Sequence, residues 1–187
     1  MRVTGGVLCG RQVIMPPGEI RPAMDRMRES VFAMLGDLSE LSFLDLFSGS
    51  GIIALEAASR GAAYLEAVEK DPAKRAALLQ NIALSPKRIQ CRFQPVELYV
   101  QRARRAFDII FCDPPFAYKW KTALVAGIAG SPLMRDGSRL LLHRPRGDEV
   151  EEVGNAAETT KTAIEGLFLQ ERREYGRSIV DYFVKRV

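Results

Sequence analysis

The sequence predicts an α/β protein built on one mostly parallel sheet, and three observations carry that prediction. From Phe43 onward, short β-like runs alternate with longer helical stretches. Two of those runs end in loops of unusual chemistry, Asp45–Gly51 and Asp113–Phe116. The last third breaks the alternation with two successive strand-like segments, the mark of an antiparallel hairpin at the end of the sheet.

The segment before Phe43 has a different character. Arg2–Met15 alternates weakly, with turn signals at Gly5-Gly6 and Gly10, and predicts a small β-hairpin ending at Pro16-Pro17. Pro22 suits the first turn of a helix. That helix is predicted to run to about Leu35, with Met27, Val31, Met34 and Leu35 on one apolar stripe and Arg21, Asp25 and Arg28 largely off it. Residues 1–42 are therefore expected as an appendage on a core of residues 43–187, the whole forming a single domain.

Within the core, strands are predicted at Phe43–Phe47, Tyr64–Val68, Ile89–Phe93, Phe107–Cys112 and Arg139–His143. Helices are predicted at about Ile52–Arg60, Pro72–Leu84, Val96–Arg105 and Lys119–Ala129. Ala163–Gln170 and Ser178–Val184 read as the closing strands, joined by the charged, Gly-containing Glu171–Arg177.

Composition excludes several classes. The 187 residues are 47% hydrophobic and 27% charged, ordinary for a globular protein with a full core. No apolar stretch approaches the roughly 20 residues needed to span a bilayer. Met1–Gly6 carries one basic residue and no apolar signal core, so a cytoplasmic location is expected. Cys9, Cys91 and Cys112 are odd in number and scattered, which fits reduced thiols and neither a disulfide framework nor a metal site. The net charge of +4 is concentrated in arginine clusters: Arg2, Arg11, Arg21, Arg26 and Arg28; Arg102, Arg104 and Arg105; Arg172, Arg173 and Arg177. Such clusters suit a polyanionic partner. Nothing in the pattern announces an oligomer interface, and a monomer is expected.

In open α/β sheets, ligands bind beyond the carboxyl ends of the strands. Asp45-Leu46-Phe47-Ser48-Gly49-Ser50-Gly51 falls at such an end. Gly49 and Gly51 permit tight turning and close approach of a ligand to backbone. The N–H groups opening the next helix suit the carboxylate of an amino acid moiety, and Asp45 can accept from its ammonium. Glu69 follows the second strand, 18 positions after Gly51, where a carboxylate can accept both ribose hydroxyls of a nucleoside. A nicotinamide cofactor competes for this pattern, with Ala54 at the permitted third position. The D-x-F-x-G-x-G form and the later Asp-Pro-Pro-Phe favour S-adenosylmethionine.

Asp113-Pro114-Pro115-Phe116 meets a second chemical need. An exocyclic amino group on a base is a poor nucleophile because its lone pair is delocalised into the ring. Asp113 and the Pro114 carbonyl can each accept one of its N–H groups. Pro115 has no N–H and restricts Pro114 to an extended conformation. Phe116 can stack on an unpaired base, a contact worth about 1–3 kcal/mol. The reacting base must be single-stranded or flipped out. Tyr118 and Trp120 lie just beyond, as further aromatic wall or as core. His143, the chain's single histidine, reads as structural, because this chemistry needs no imidazole base.

With these residues placed, the chain resembles the bacterial small-subunit ribosomal RNA guanine-N2 methyltransferases, a family modifying one guanine of 16S rRNA. Three stretches carry the likeness. The first is Arg2-Val3 through Gly10-Arg11, followed by Arg21-Pro22-x-x-Asp25-Arg26-x-Arg28-Glu29-Ser30-Val31-Phe32. The second is Leu44–Gly51 with Leu55-Glu56-Ala57 and Ser59-Arg60-Gly61-Ala62. The third is Val68-Glu69-Lys70-Asp71 with Asp113–Phe116. The likeness runs from residue 2 to about 120 and resumes at Arg172–Tyr182.

The resemblance implies a Rossmann-like class I methyltransferase fold, with a mostly parallel seven-stranded sheet and a reversed last strand. It implies methylation of guanine N2 in 16S rRNA within an assembling small ribosomal subunit. S-adenosylmethionine would be held by Asp45, Phe47, Ser48, Gly49, Gly51, Glu69, Lys70 and Val96. The corner Asp113, Pro114 and Phe116 would be catalytic, and Arg21, Asp25, Arg26 and Arg28 would hold RNA beside it. Two departures stand out. Pro95 occupies the position where the family has a carboxylate for adenine, leaving the Val96 N–H or Gln94 for that contact. His143-Arg144-Pro145-Arg146 follows the fifth strand, where the family favours acidic residues. Two other readings compete: a DNA adenine-N6 or protein glutamine methyltransferase, usually with Asn where Asp113 stands, and a non-catalytic nucleic-acid-binding relative.

Overall fold

The structure, a computed structural model, describes residues 1–16, 24–148, 160–161 and 164–186. Its contacts divide the chain into two compact units, Met1–Pro95 and Val96–Val187. The amino-terminal appendage therefore belongs to a larger first unit.

In that first unit the elements are α1 (Met24–Leu35), β1 (Ser42–Leu46), α2 (Ile52–Ser59), β2 (Tyr64–Val68), α3 (Arg75–Ile82) and β3 (Ile89–Arg92). The three strands are parallel in the order β3-β2-β1, with Phe43 opposite Leu65 and Leu65 opposite Ile89. Every residue of β1 is buried, as expected of a parallel strand covered on both faces. All eight residues of α2 are buried as well, which its nearly continuous apolar composition requires.

The amino-terminal segment, together with α3, β1 and β2, covers α2. The expected hairpin is reduced to one antiparallel bridge, Arg2 with Gln12, spanning a 3-10 turn at Gly6–Leu8. The Ser59 hydroxyl donates to the Gly5 carbonyl (2.6 Å) and accepts from the Leu8 N–H (2.9 Å). Asn81 on α3 accepts from the Ile14 N–H and donates to the Ile14 carbonyl, both at 2.8 Å. Side chains of α2 and α3 thus satisfy backbone groups that a longer hairpin would have paired internally.

The second unit contains α4 (Val96–Gln101), β4 (Ile109–Cys112), α5 (Lys121–Ala129), β5 (Arg139–Pro145), β6 (Thr160–Lys161), β7 (Leu167–Tyr175) and β8 (Ser178–Lys185). The strand order is β4-β5-β8-β7-β6, with β4 and β5 parallel and β8 reversed between β5 and β7. The closing hairpin is longer than expected. Glu171–Tyr175, read from sequence as connection, continues β7, and the turn shrinks to Gly176-Arg177. The charges are tolerated because they are paired: Arg172 lies opposite Asp181 of β8 and donates to its buried carboxylate, and Arg173 donates to Glu171. The start of the expected strand at Ala163 lies outside the described residues. Among the described residues no helix is long and apolar enough to cross a membrane, and no cluster of three or more His, Cys, Asp or Glu is placed to hold a metal ion.

Candidate functional site

In the first unit, the loop after β1 is held by its own side chains. The Ser48 hydroxyl donates to the Asp45 carbonyl (2.8 Å), and the Ser48 N–H reaches the Val68 carbonyl at the end of β2 (2.9 Å). Asp45 is buried and accepts from the Ala54 N–H of α2 at 3.2 Å. Glu69 is buried, with Oε2 accepting from the Gly49 N–H and Oε1 from the Asp71 N–H, each at 2.8 Å. The two glycines do different work. A Cβ on Gly51 would meet Ile82 Cγ2 at 3.2 Å, so Gly51 (φ 77°) serves close packing of α2 on α3. At Gly49 a Cβ would approach nothing nearer than the Phe47 carbonyl oxygen at 4.0 Å, so that turn faces open space. Phe47 itself adopts φ 62°, a left-handed conformation rare for a non-glycine residue. Lys70 is exposed just beyond Glu69. Cys91 has its thiol pushed up to about 11, by burial first and then by the Asp45 charge, which keeps it protonated and inert at neutral pH.

The arginines of α1 separate into two kinds. Arg26 is exposed. Arg28, expected to hold RNA, is instead fully buried at 0% exposure and serves a structural role. Its Nε donates to Glu56 Oε1 (3.0 Å), and its Nη2 donates to the Arg2 carbonyl (2.7 Å) and to Asp25 Oδ1 (2.8 Å). Glu56, fully buried on α2, also accepts from the Thr4 N–H and hydroxyl and from Arg60. The buried face of α1 is accordingly Met27, Arg28, Val31, Phe32 and Leu35, with Met34 half-buried. Arg28 takes a place on the stripe because the one acid of α2 needs a cation there. Asp25 is drawn into the same network, with its side chain 45% exposed. Arg21 lies outside the described residues.

In the second unit, Asp113 follows β4 directly, and its side chain is 17% exposed. The parallel register places Cys112 opposite Leu142, so Asp113 and His143 each stand one step further along. His143 Nδ1 lies 2.8 Å from Asp113 Oδ1. The His143 ring also meets Phe116 edge-on, with centroids 5.7 Å apart. From the other side, the buried Lys121 donates to the carbonyls of Phe116 (2.9 Å) and Tyr118, and the Tyr118 N–H closes a turn onto the Pro115 carbonyl (2.8 Å). The corner is thus rigidly mounted, which positioning of a substrate amino group demands. Neither His143 nor Lys121 was assigned to it by sequence reasoning. The β4–β5 register brings His143 to Asp113, and no local sequence pattern records that register.

The aromatic residues beyond the corner part company. Tyr118 donates its hydroxyl to Glu97 Oε1 (2.7 Å), and burial, then this bond, pushes its ionisation well above the ordinary tyrosine value. Trp120 is 67% exposed and packs edge-on against Tyr118. Both line a cavity of about 460 Å³ with Val100 and Leu124. Pro95 is exposed and Val96 opens α4, where a first-turn N–H has no partner within the helix.

Residues 1–179 match the family described as conserved hypothetical protein 95. The chain belongs to this family. Ribosomal RNA small subunit methyltransferase D of Escherichia coli is 35% identical over 120 residues, which cover 62% of this chain and 60% of that protein. The chain thus spans about 60% of that relative's length in the match. A putative rRNA methyltransferase of Bacillus subtilis is 29% identical over 174 residues, covering 86% of this chain and 92% of the other. Among solved structures, a putative methyltransferase from Escherichia coli superposes with a TM-score of 0.83 at 26% identity, covering 100% of this chain and 98% of that one.

The fold is therefore the Rossmann-like class I methyltransferase fold, as the sequence predicted, with the reversed last strand present and the two-residue β6 as an addition. S-adenosylmethionine is the cofactor implied by the family. The first-unit loop fits such a ligand. Gly49 opens onto free space, and each Glu69 oxygen retains lone-pair capacity beyond the backbone N–H it accepts.

Proposed function

We propose that the protein methylates the exocyclic N2 amino group of a guanine in 16S rRNA, with an assembling small ribosomal subunit as its partner. The observation that carries this reading is the Asp113 corner. It is an acceptor-only carboxylate on a rigid turn with an aromatic neighbour, in a family whose relatives bear small-subunit rRNA methyltransferase names. A guanine amino group offers two N–H donors, and Asp113 and the Pro114 carbonyl offer two acceptors. An Asn in place of Asp113 would offer a donor as well.

S-adenosylmethionine, when bound, supplies an electrophilic methyl group. The residues proposed to hold it are Asp45 and the Phe47–Gly51 turn for the amino acid part, Glu69 with Lys70 beside it for the ribose, and the Val96 N–H for adenine. Asp113 and the Pro114 carbonyl take the two amino hydrogens. This draws the nitrogen lone pair out of conjugation with the ring and orients it for attack. Phe116 stacks on the flipped base and excludes water from one face. The acceleration comes from orientation and fixed dipoles, with no strong base required. Arg21 and the exposed Arg26 contact RNA phosphate, while Asp25 and Arg28 support that surface from within.

The test is transfer of labelled methyl from S-adenosylmethionine to small-subunit particles lacking this modification, to naked 16S rRNA, to DNA and to protein. Label in RNA, recovered as N2-methylguanosine, is the expected result. Label in N6-methyladenosine or glutamine would move the assignment to the competing amino-methyltransferases. Cofactor affinity with no transfer to any substrate would favour a binding protein.

A further inference from the structure

We propose that His143 is the positioning residue of the corner: its Nδ1–H locks one oxygen of Asp113 while its ring braces Phe116. The inference rests on the reaction proposed above. The two nitrogens of the imidazole have different surroundings. Nδ1 lies 2.8 Å from Asp113 Oδ1, whereas Nε2 is buried with no partner among the described residues. If the proton were on Nε2, two lone pairs would face each other across 2.8 Å and a buried N–H would be orphaned. With the proton on Nδ1, a charge-assisted hydrogen bond forms and only an acceptor lone pair is left without a partner. The second arrangement is the one with the lower cost.

The consequence concerns aim. A carboxylate on a β-carbon rotates easily about its terminal torsion, and a rotated Asp113 would offer the amino group a poorly directed lone pair. Fixing Oδ1 from the adjacent strand removes that rotation. The mount is stiff, because His143 belongs to β5, is 2% exposed, and is paired there with Val180 of β8. The same ring contacts Phe116, so one side chain aligns both the hydrogen-bond acceptor and the stacking surface. His143 works through Asp113 and Phe116 and exchanges no proton with substrate.

Two substitutions separate its two contacts. Asn at this position presents an amide N–H near the place of Nδ1 but has no ring; Phe keeps the ring and lacks the donor. Under saturating cofactor, His143→Phe is expected to lower kcat about 10- to 100-fold, the effect of one charge-assisted hydrogen bond, with KM for the particle within about threefold. His143→Asn is expected to hold kcat within about fivefold of wild type and to raise KM for the particle through the lost brace on Phe116. Equal losses in both variants, or a His143→Phe enzyme with kcat within about threefold of wild type, would overturn the proposal.

A second readout does not depend on activity. His143 is the only histidine in the chain, so untagged protein gives a single set of imidazole signals in a long-range 15N–1H spectrum. The expected spectrum is that of the Nδ1–H tautomer, altered by Asp113→Ala. An Nε2–H tautomer, or a spectrum indifferent to Asp113→Ala, would refute the lock. If wild-type protein methylates no RNA, the functional reading fails while this spectrum still decides the role of His143.

Discussion

Arg28 offers the sharpest separation of a structural arginine from an RNA-binding one. Arg28→Met removes a guanidinium with no exposed surface and leaves Glu56, equally buried, with Arg60 and the two Thr4 donors. Removing one partner of a buried ion pair costs about 3–5 kcal/mol, and the remaining donors on Glu56 favour the lower end. For a chain of this length, about 3 kcal/mol corresponds to a fall in Tm of about 6–12 °C. Glu56→Leu is worse, because it strands Arg28 in the interior with only Asp25 and the Arg2 carbonyl. That change should sit near 5 kcal/mol. The double variant Arg28→Met/Glu56→Leu is expected to recover only part of the loss, since the fully buried Arg28 is no longer stranded but Arg60 still lacks its carboxylate. Urea and thermal unfolding give these values, and RNA affinity measured well below the transition should be unchanged in Arg28→Met. An Arg28→Met protein within about 0.5 kcal/mol of wild type, the range of ordinary surface changes, with RNA affinity sharply reduced, would show that Arg28 serves RNA and not the interior.

Other outcomes follow from the same contacts. Gly6→Ala would put a Cβ 2.0 Å from the Ser59 carbonyl oxygen at a backbone φ of 74°, so the amino-terminal segment should lift from α2 and become open to limited proteolysis. Glu69→Ala should weaken S-adenosylmethionine binding by about 10- to 100-fold in calorimetry, through loss of ribose acceptors and of the Gly49 anchor. Thiol titration should find Cys9 reacting first, because it is exposed while Cys91 is half-buried and Cys112 buried. The raised Cys91 value means its thiolate appears only as pH climbs toward about 11, so its alkylation rate should keep rising through the range where an ordinary cysteine has levelled off.

Much of the fold was legible because strand ends carry strong local signals. Tyr64–Val68 was placed to the residue, and the alternation of strands and helices followed from period alone. The failures share one cause, which is that long-range partners decide what a charged residue does. Arg28 looks like surface in any helical projection until Glu56, one acid in an apolar helix, is known to lie beneath it. Glu171–Tyr175 looks like a loop until Asp181 is seen opposite Arg172. In the candidate site, the glycine loop and the Asp113 corner stand out in the sequence because their composition is unusual. The contact of His143 with Asp113 does not, since it comes from the β4–β5 register and no local pattern records that.

The decisive measurement is single-turnover methyl transfer to unmodified small-subunit particles with wild-type protein and Asp113→Ala side by side, each first shown to bind S-adenosylmethionine with equal affinity. The expected result is N2-methylguanosine in 16S rRNA from the wild type and a rate at least about 100-fold lower from the variant, as expected for a lost group that orients the nucleophile. Equal rates from the two proteins, or a methylated product other than N2-methylguanosine, would contradict it.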